Sequence, residues 1–124
     1  MKLEQQVCSL HLSKKLRELG VKQESLFCWA EDQLGDEKTE IQYVHNILMD
    51  EVYAWKFFSA FTVAELGEIL PEVSSGTQLE TWKFKNQWTC GNERHRESAD
   101  TEADARAKML CYLLENKLMA ATAS

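Results

Sequence analysis

The feature that most constrains the fold is an amphipathic segment near the end of the chain, from Thr101 to about Met119. Thr101 suits the N-cap position, because its hydroxyl can accept a hydrogen bond from a free backbone N–H of the first turn. Glu102 and Asp104 place negative charge at the positive end of the helix dipole. Apolar residues recur at intervals of three and four, at Ala103, Ala107, Leu110, Cys111, Leu114 and Leu118. The pattern predicts a helix with one buried face, around which the other elements pack.

Composition indicates one α+β domain spanning residues 1–124, with 44% hydrophobic and 27% charged residues and a single proline. No apolar run approaches the ~20 residues that a membrane-spanning helix needs. The polar start, Met1 to Gln6, is unlike a signal peptide, so we expect a cytoplasmic protein. A net charge of −6 disfavours general attraction to nucleic acid or anionic membranes but suits a partner protein with a basic surface.

The amino-terminal half contains one predicted helix and three predicted strands. The helix runs from Ser9 to Leu19 and stops at Gly20, which is the residue type that most often ends a helix. The predicted strands are Ser25–Glu31, Glu40–His45 and a third within Asn46–Ser59, with an acidic loop at Asp32–Thr39. In the third, the alternation of Tyr53, Trp55 and Phe57 favours a strand over a helix.

A second short helix is predicted from Thr62 to Leu70. Thr62 and Glu65 have the spacing of a capping box, in which each side chain bonds the backbone N–H of the other residue. Phe61 and Leu66 occupy the two positions of a hydrophobic staple across the helix start. The local sequence therefore specifies where this helix begins.

A turn at Ser74–Gly76 and a hairpin of Leu79–Phe84 with Gln87–Cys90 follow this helix. Four residues are candidates for the buried face of the hairpin: Trp82, Phe84, Trp88 and Cys90. Gly91–Asp100 is predicted to be a polar loop. The element order favours an α+β fold in which an antiparallel sheet of four to five strands packs against three helices.

Two cysteine–histidine pairs raise the question of a metal site. Cys8 with His11, and Cys90 with His95, could together supply four zinc ligands, but neither pair has the tight spacing of a zinc knuckle. We therefore predict no metal, with both cysteines as small buried residues and both histidines at the surface. All four widely spaced cysteines, which include Cys28 and Cys111, are expected to be reduced thiols.

No catalytic motif is visible in the sequence. There is no glycine-rich phosphate loop, nucleophile elbow or zinc-protease helix motif, and the paired carboxylates lie where solvated helix faces and helix starts place them. We therefore predict a protein that is not an enzyme and that needs no cofactor.

The run from Tyr53 to Phe58 concentrates four aromatic residues in six positions. Because a strand cannot bury both faces unless each is covered, part of this run could form a contact patch for a partner. The candidate partner-binding residues are Tyr53, Trp55, Phe57 and Phe58. Filling of the core is an equally good interpretation of the same residues.

A local nucleic-acid site is a further alternative. Basic residues cluster at Lys14–Arg17 and Arg94–Arg96, and the rings of Trp82, Phe84 and Trp88 could stack on bases if they were exposed. Aromatic residues that alternate along a hairpin belong more often to a core, and the overall charge is unfavourable. Nucleic-acid binding is therefore the weaker expectation.

Two long stretches, Ala60–Pro71 and Asp100–Lys117, resemble segments of small uncharacterised proteins of bacteriophages, prophages and other bacterial mobile elements. The segments Leu3–Leu10 and Val21–Phe27 show the same resemblance, whereas Asp32–Phe58 does not. The resemblance implies a phage-type origin and a small α+β fold, and it assigns no catalytic or binding residue.

With this resemblance, we expect a protein that binds and modulates a host or defence-system protein, as an anti-CRISPR-like inhibitor does. The alternative in another class is a structural or assembly protein that self-associates through its aromatic strand, including as a homodimer.

Overall fold

The computed structural model describes residues 2–32, 39–43 and 55–120. Its helices are α1 (Leu3–Gln6), α2 (Leu10–Glu18), α3 (Val63–Ile69) and α4 (Glu102–Glu115). Its strands are β1 (Phe27–Asp32), β2 (Thr39–Tyr43), β3 (Trp55–Ser59), β4 (Val73–Ser74), β5 (Thr77–Gln78), β6 (Glu80–Phe84), β7 (Gln87–Gly91) and β8 (Arg96–Ala99). The predicted α+β class is confirmed.

The described strands form three small antiparallel sheets, in the orders β2-β1-β3, β4-β5 and β6-β7-β8. The expectation of one sheet of four to five strands with three helices is therefore corrected in its detail. Strands that are neighbours in sequence tend to pair, and α3 separates the first group of strands from the rest. The strands before α3 therefore pair in one sheet, and the strands after α3 pair in the other two. The helix beyond the predicted three is α1, a single turn.

Helix α4 is the central packing element, as predicted. Its N-cap Thr101 accepts a hydrogen bond from the backbone N–H of Asp104 at 3.2 Å. The predicted apolar face packs with α2 and α3 in one core cluster, through Ala103, Ala107, Leu110, Cys111 and Leu114. A second buried face packs on the β6-β7-β8 sheet, through Ala105, Met109 and Leu113. The spacing analysis found only the first face, so α4 is buried on two sides rather than one.

The carboxyl end of α4 differs from the prediction, because the helix ends at Glu115 rather than near Met119. Lys117 adopts a left-handed backbone with φ of 56°. The N–H groups of Lys117 and Leu118 then bond back to the carbonyls of Leu114 and Leu113, at 3.2 and 2.8 Å. This reversal carries Leu118 off the helix face, and its side chain is 44% exposed, so its placement in the buried stripe was wrong.

Helix α2 begins and ends as predicted to within a residue. The Ser9 hydroxyl accepts from the backbone N–H of Leu12 at 3.4 Å. At the other end Gly20 has φ of 91°, a conformation that costs glycine little, and Val21 bonds back to the Leu16 carbonyl at 3.0 Å. Val21 is buried and closes the helix end against the core.

The capping box of α3 is confirmed and does more than cap the helix. Thr62 and Glu65 bond each other's backbone N–H groups at 3.2 and 2.8 Å. The Glu65 carboxylate also accepts from the Ser25 hydroxyl at 2.7 Å and from the Leu26 N–H at 3.1 Å. One carboxylate thus joins the start of α3 to the segment that leads into β1. Phe61 and the other staple residue, Leu66, are fully buried.

The first sheet corresponds to the three strands predicted in the amino-terminal half. β1 is its central strand, with β2 and β3 paired on either side. Residues 33–38 of the predicted acidic loop and residues 44–54 between β2 and β3 lie outside the described residues.

The predicted turn at Ser74–Gly76 joins β4 to β5, with positive φ at Ser75 and Gly76 as a two-residue hairpin turn requires. The buried Asn92 holds this hairpin in place. Its amide nitrogen donates to the carbonyls of Ser74 and Thr77 at 3.0 and 3.3 Å. Its oxygen accepts from the backbone N–H groups of Arg94 and His95 at 2.9 and 3.1 Å, so one side chain ties two turns together.

The segment Gly91–Asp100 is not a polar loop throughout, because Arg96–Ala99 forms strand β8 beside β7. Three of its four residues are polar, which concealed the strand from an analysis based on apolar alternation. Its last residue, Ala99, is buried against α4. The prediction of a loop was therefore wrong for these four residues and for Gly91, which ends β7.

Candidate functional site

The β6-β7-β8 sheet has an inner face that packs on α4. Residues Trp88, Cys90 and Ala99 of the sheet contact Met109 and Leu113 of the helix in one cluster. Cys90 is fully buried and Trp88 is half-buried. For these residues the predicted burial within the hairpin is confirmed.

The outer face of the same sheet carries the other two aromatic residues of the hairpin, Trp82 and Phe84. Phe84 is 69% exposed and Trp82 is half-buried, so their predicted place on the buried face beside Cys90 was wrong. The physical reason is the two-residue turn, which pairs Phe84 with Gln87 and Trp82 with Thr89. Even-numbered residues of β6 therefore share a face with odd-numbered residues of β7, and Trp82 faces away from Cys90.

Cations and hydroxyls surround the two outer rings. The Arg96 guanidinium lies 5.7 Å from the centre of the Trp82 ring, and the Lys85 ammonium lies 5.6 Å from the centre of the Phe84 ring. The Thr89 and Ser98 hydroxyls bond each other at 2.9 Å across β7 and β8. We call this set the aromatic outer face, and it consists of Trp82, Phe84, Lys85, Thr89, Arg96 and Ser98.

A second feature is an acidic stretch of the sequence, beside which Lys22 also lies because it lines a groove with Glu68. Residues 57–82 contain four glutamates and no lysine or arginine. Glu65 is used in the capping of α3, whereas Glu68, Glu72 and Glu80 are exposed, and we call these three the acidic flank.

Apolar surface adjoins the acidic flank. Val73, next to Glu72, is 55% exposed. Glu72 and Glu80 line a shallow groove of about 210 Å³, together with the half-buried Leu79. Arg106 also lines the groove, but its guanidinium is held by the Glu102 carboxylate at 2.8 Å. The flank thus combines negative charge with accessible apolar surface.

Of the four predicted partner-binding side chains, the structure describes those of Phe57 and Phe58, and neither is exposed. Tyr53 lies outside the described residues, Trp55 begins β3, and Phe57 is half-buried. Phe58 is only 5% exposed, and the cationic groups of Lys14 and Arg17 lie 5.5 and 5.3 Å from its ring centre. Phe58 therefore belongs to the interior, beneath two basic side chains of α2.

The two cysteine–histidine pairs are not brought together. Cys8 and Cys90 are buried, as predicted, and they belong to two different core clusters. His11 is exposed, whereas His95 is half-buried, stacks on Tyr112 with ring centres 3.5 Å apart, and bonds the Glu97 carboxylate. Among the described residues no group of three or more histidine, cysteine or acidic side chains is arranged to hold a metal.

All four cysteines are free and buried, and burial raises the pKa of each thiol. The pKa of Cys8 rises to about 11 and that of Cys111 to about 12, mainly by desolvation. The hydroxyl of Ser13, 3.1 Å from the Cys8 sulfur, opposes the shift only in part. Because the thiolate is the nucleophilic form, these thiols are poorly suited to covalent catalysis near neutral pH.

A groove of about 430 Å³ lies between α2 and α4 and is lined by charged residues. Lys15 pairs with Glu115 at 2.7 Å, and Lys108 donates to the Ser98 carbonyl at 2.9 Å. Asp104 accepts from the Ser9 N–H at 2.8 Å, and burial raises the pKa of its carboxyl. These charged groups bond one another or the backbone. Their contacts therefore hold α2 and α4 together.

None of the helices in the described residues is long and apolar enough to cross a membrane. Comparison of the chain with protein-family models, with curated proteins and with solved structures finds no match. The functional argument therefore depends on the surfaces described above.

Proposed function

We propose that this chain is a non-enzymatic, phage-type protein that binds a host or defence-system protein in the bacterial cytoplasm, as an anti-CRISPR-like inhibitor does. The observation that supports this proposal is the acidic flank. Glu68, Glu72 and Glu80 are three exposed carboxylates in a stretch of sequence, residues 57–82, that has no lysine or arginine. Such a surface complements a basic site on a partner, and complementary charge accelerates association and excludes wrong partners.

The exposed Val73 supplies apolar contact area, which charged groups alone do not. Charged pairs at the rim of an interface contribute little net affinity, whereas apolar contacts excluded from water contribute most of it. Val73 lies between the carboxylate-bearing residue Glu72 and the buried Ser74, on a strand of a tight hairpin. Asn92 fixes that hairpin, so little conformational entropy is lost when a partner docks there.

The buried thiols support the non-enzymatic part of the proposal, since their raised pKa values keep them protonated near neutral pH. A partner with a basic surface that handles nucleic acid, such as a defence nuclease, has the complementary charge. On this proposal the protein acts by occupying that surface.

A charge-matched pair of variants tests the proposal. The first replaces Glu68, Glu72 and Glu80 by Gln, and the control replaces the exposed residues Glu4, Glu18 and Glu93 by Gln, so both change the net charge from −6 to −3. Proteins from a host lysate are captured on each variant and on wild type. Each captured protein is then purified and its dissociation constant measured by calorimetry at two salt concentrations.

We expect the flank variant to lose its partner while the control keeps it, and the wild-type affinity to fall with added salt. The partner's own activity should be inhibited by wild type and by the control but not by the flank variant. Equal affinity of both variants for every captured protein would rule out the acidic flank as the binding surface.

A further inference from the structure

We propose that the aromatic outer face binds single-stranded nucleic acid, with bases stacked on Trp82 and Phe84. This inference goes beyond the proposed function and uses the outer face of the β6-β7-β8 sheet, with which the acidic flank shares Glu80. It starts from the exposure of Phe84, since an aromatic side chain that is 69% exposed contributes little to the core, and from the half-buried Trp82 beside it. Base–aromatic stacking is the recurring way in which proteins hold unpaired bases, because every base has a flat π-face.

The spacing of the two rings suits unstacked bases. Trp82 and Phe84 are two residues apart on β6, so their Cα atoms are separated by roughly 6.7 Å along the strand. That is about twice the 3.4 Å between stacked bases of one strand in a duplex. Two neighbouring bases of an open strand can therefore lie on successive rings, whereas a duplex keeps its base faces covered.

The charge around the rings is opposite to that of the chain as a whole. Two cations, Lys85 and Arg96, lie beside the outer rings, whereas Lys83 lies over Trp88 on the inner face. The exposed Glu80 is on the same face of β6 as Trp82, so two positive charges minus one negative charge give +1 on the outer face. The whole chain has a net charge of −6. Phosphates that enter this region can be neutralised locally by lysine and arginine, which is the main electrostatic contribution to nucleic-acid affinity.

Two cations lie beside the rings on which bases are proposed to stack. Arg96 lies over the Trp82 ring and Lys85 over the Phe84 ring, at 5.7 and 5.6 Å from the ring centres. Each ring thus has a cation beside it that can turn toward a phosphate when a base takes the ring face. The Thr89 and Ser98 hydroxyls lie on the same face of the sheet and add hydrogen-bonding groups of both kinds.

A partner protein on this face is the competing interpretation, and the probes are chosen to separate the two. Fluorescence anisotropy is measured at low salt with a labelled ten-nucleotide oligothymidylate. Unlabelled competitors are the same oligonucleotide, a duplex of equal length, and an abasic oligomer with the same number of phosphates. We expect the single strand to compete well and the duplex and abasic oligomer to compete at least tenfold more weakly, because stacking needs accessible bases.

Point variants assign the binding to individual residues. Phe84→Ala should weaken binding by about 5- to 150-fold, the range for removing one base–aromatic stack. Arg96→Gln should weaken binding and make the slope of log K against log salt shallower by about 0.7, the value for one phosphate contact on a single strand. Leu26→Ala removes an equally exposed apolar side chain, and Lys22→Gln removes an exposed cation, so both are matched controls that should bind as wild type does.

The inference would be overturned by no anisotropy change with a folded protein, by equal competition by the abasic oligomer, or by equal losses in Phe84→Ala and Leu26→Ala. Association of a protein, but not of the oligonucleotide, through Phe84 would also overturn it. The flank variant with Glu68, Glu72 and Glu80 replaced by Gln should bind the oligonucleotide at least as tightly as wild type. Failure to bind the oligonucleotide and failure to bind a partner protein through the acidic flank are therefore separate observations.

Discussion

The inner and outer faces of the β6-β7-β8 sheet carry similar residue types and have different environments. Each face has one tryptophan, Trp88 on the inner face and Trp82 on the outer face. A cation lies over each indole ring, Lys83 over Trp88 and Arg96 over Trp82. Helix α4 covers only the inner face. An aromatic residue on a hairpin is therefore not evidence of a core until the position of the covering element is known.

The difference between the two faces is decided by one turn and one helix. The two residues between β6 and β7 set which residues share a face, because a pairing shift of one residue would exchange the faces. Helix α4 then buries the face that holds Cys90 and Ala99. The outer face is left with the aromatic and basic side chains on which the nucleic-acid inference depends.

The largest expected effect lies on the inner face. Leu113→Ala should destabilise the protein by about 2–5 kcal/mol, because Leu113 is fully buried between α4 and the sheet. This is a large part of the ~5–15 kcal/mol available to a small domain. Leu118→Ala is the matched control, since its side chain lies past the helix end and is 44% exposed, and it should change little. Urea unfolding of both variants measures the difference, and equal midpoints would contradict the packing of α4.

The second expected effect is a loss of stability in alkali. The folded pKa of Cys8 is about 11 against 9.0 for an exposed thiol, so between these values the folded state holds a proton that the unfolded state releases. Stability from this group is complete below pH 9 and is lost as pH rises through 11. From the shift, Cys8 alone should lower the unfolding free energy by roughly 2 kcal/mol at pH 11.

Cys8→Ala is the control for this effect. The variant loses the buried side chain at every pH, but its stability should fall less steeply between pH 9 and 11 than that of wild type. Parallel curves for the two proteins, measured by urea unfolding at intervals across this range, would show that Cys8 titrates like an exposed thiol.

Local sequence signals at helix ends explain why much of the fold could be predicted. The caps at Thr62 and Thr101 and the glycine stop at Gly20 act within a few residues, and all three were found from the sequence. Strand β8 could not be found in this way, because its own polar residues carry no strand pattern. Its pairing with β7 is what makes it a strand.

The candidate surfaces were less predictable, because exposure depends on contacts between distant segments. Phe58 is covered by α2 from 40 residues away, as the bond from the Arg17 guanidinium to the Phe57 carbonyl shows. The length of the hairpin turn, which pairs even with odd positions, could have shown that Phe84 and Cys90 lie on opposite faces, but not which of the two faces α4 covers. The acidic flank was visible in the sequence as a long stretch without lysine or arginine.

The smallest expected effect tests the outer face directly. Phe84→Ala should change the unfolding free energy by no more than ~0.5 kcal/mol, the usual range for surface substitutions. Phe61→Ala deletes the same side chain from a fully buried position and should cost about 3–5 kcal/mol. Cysteine labelling gives an independent readout, since all four native thiols are buried and should react slowly in the folded protein. Phe84→Cys should add one rapidly labelled thiol per chain, whereas Ala99→Cys, on the inner face, should add none. If Phe84→Ala were as damaging as Phe61→Ala, or if Cys at position 84 were protected, another part of the protein would cover this face and the two faces would be equivalent.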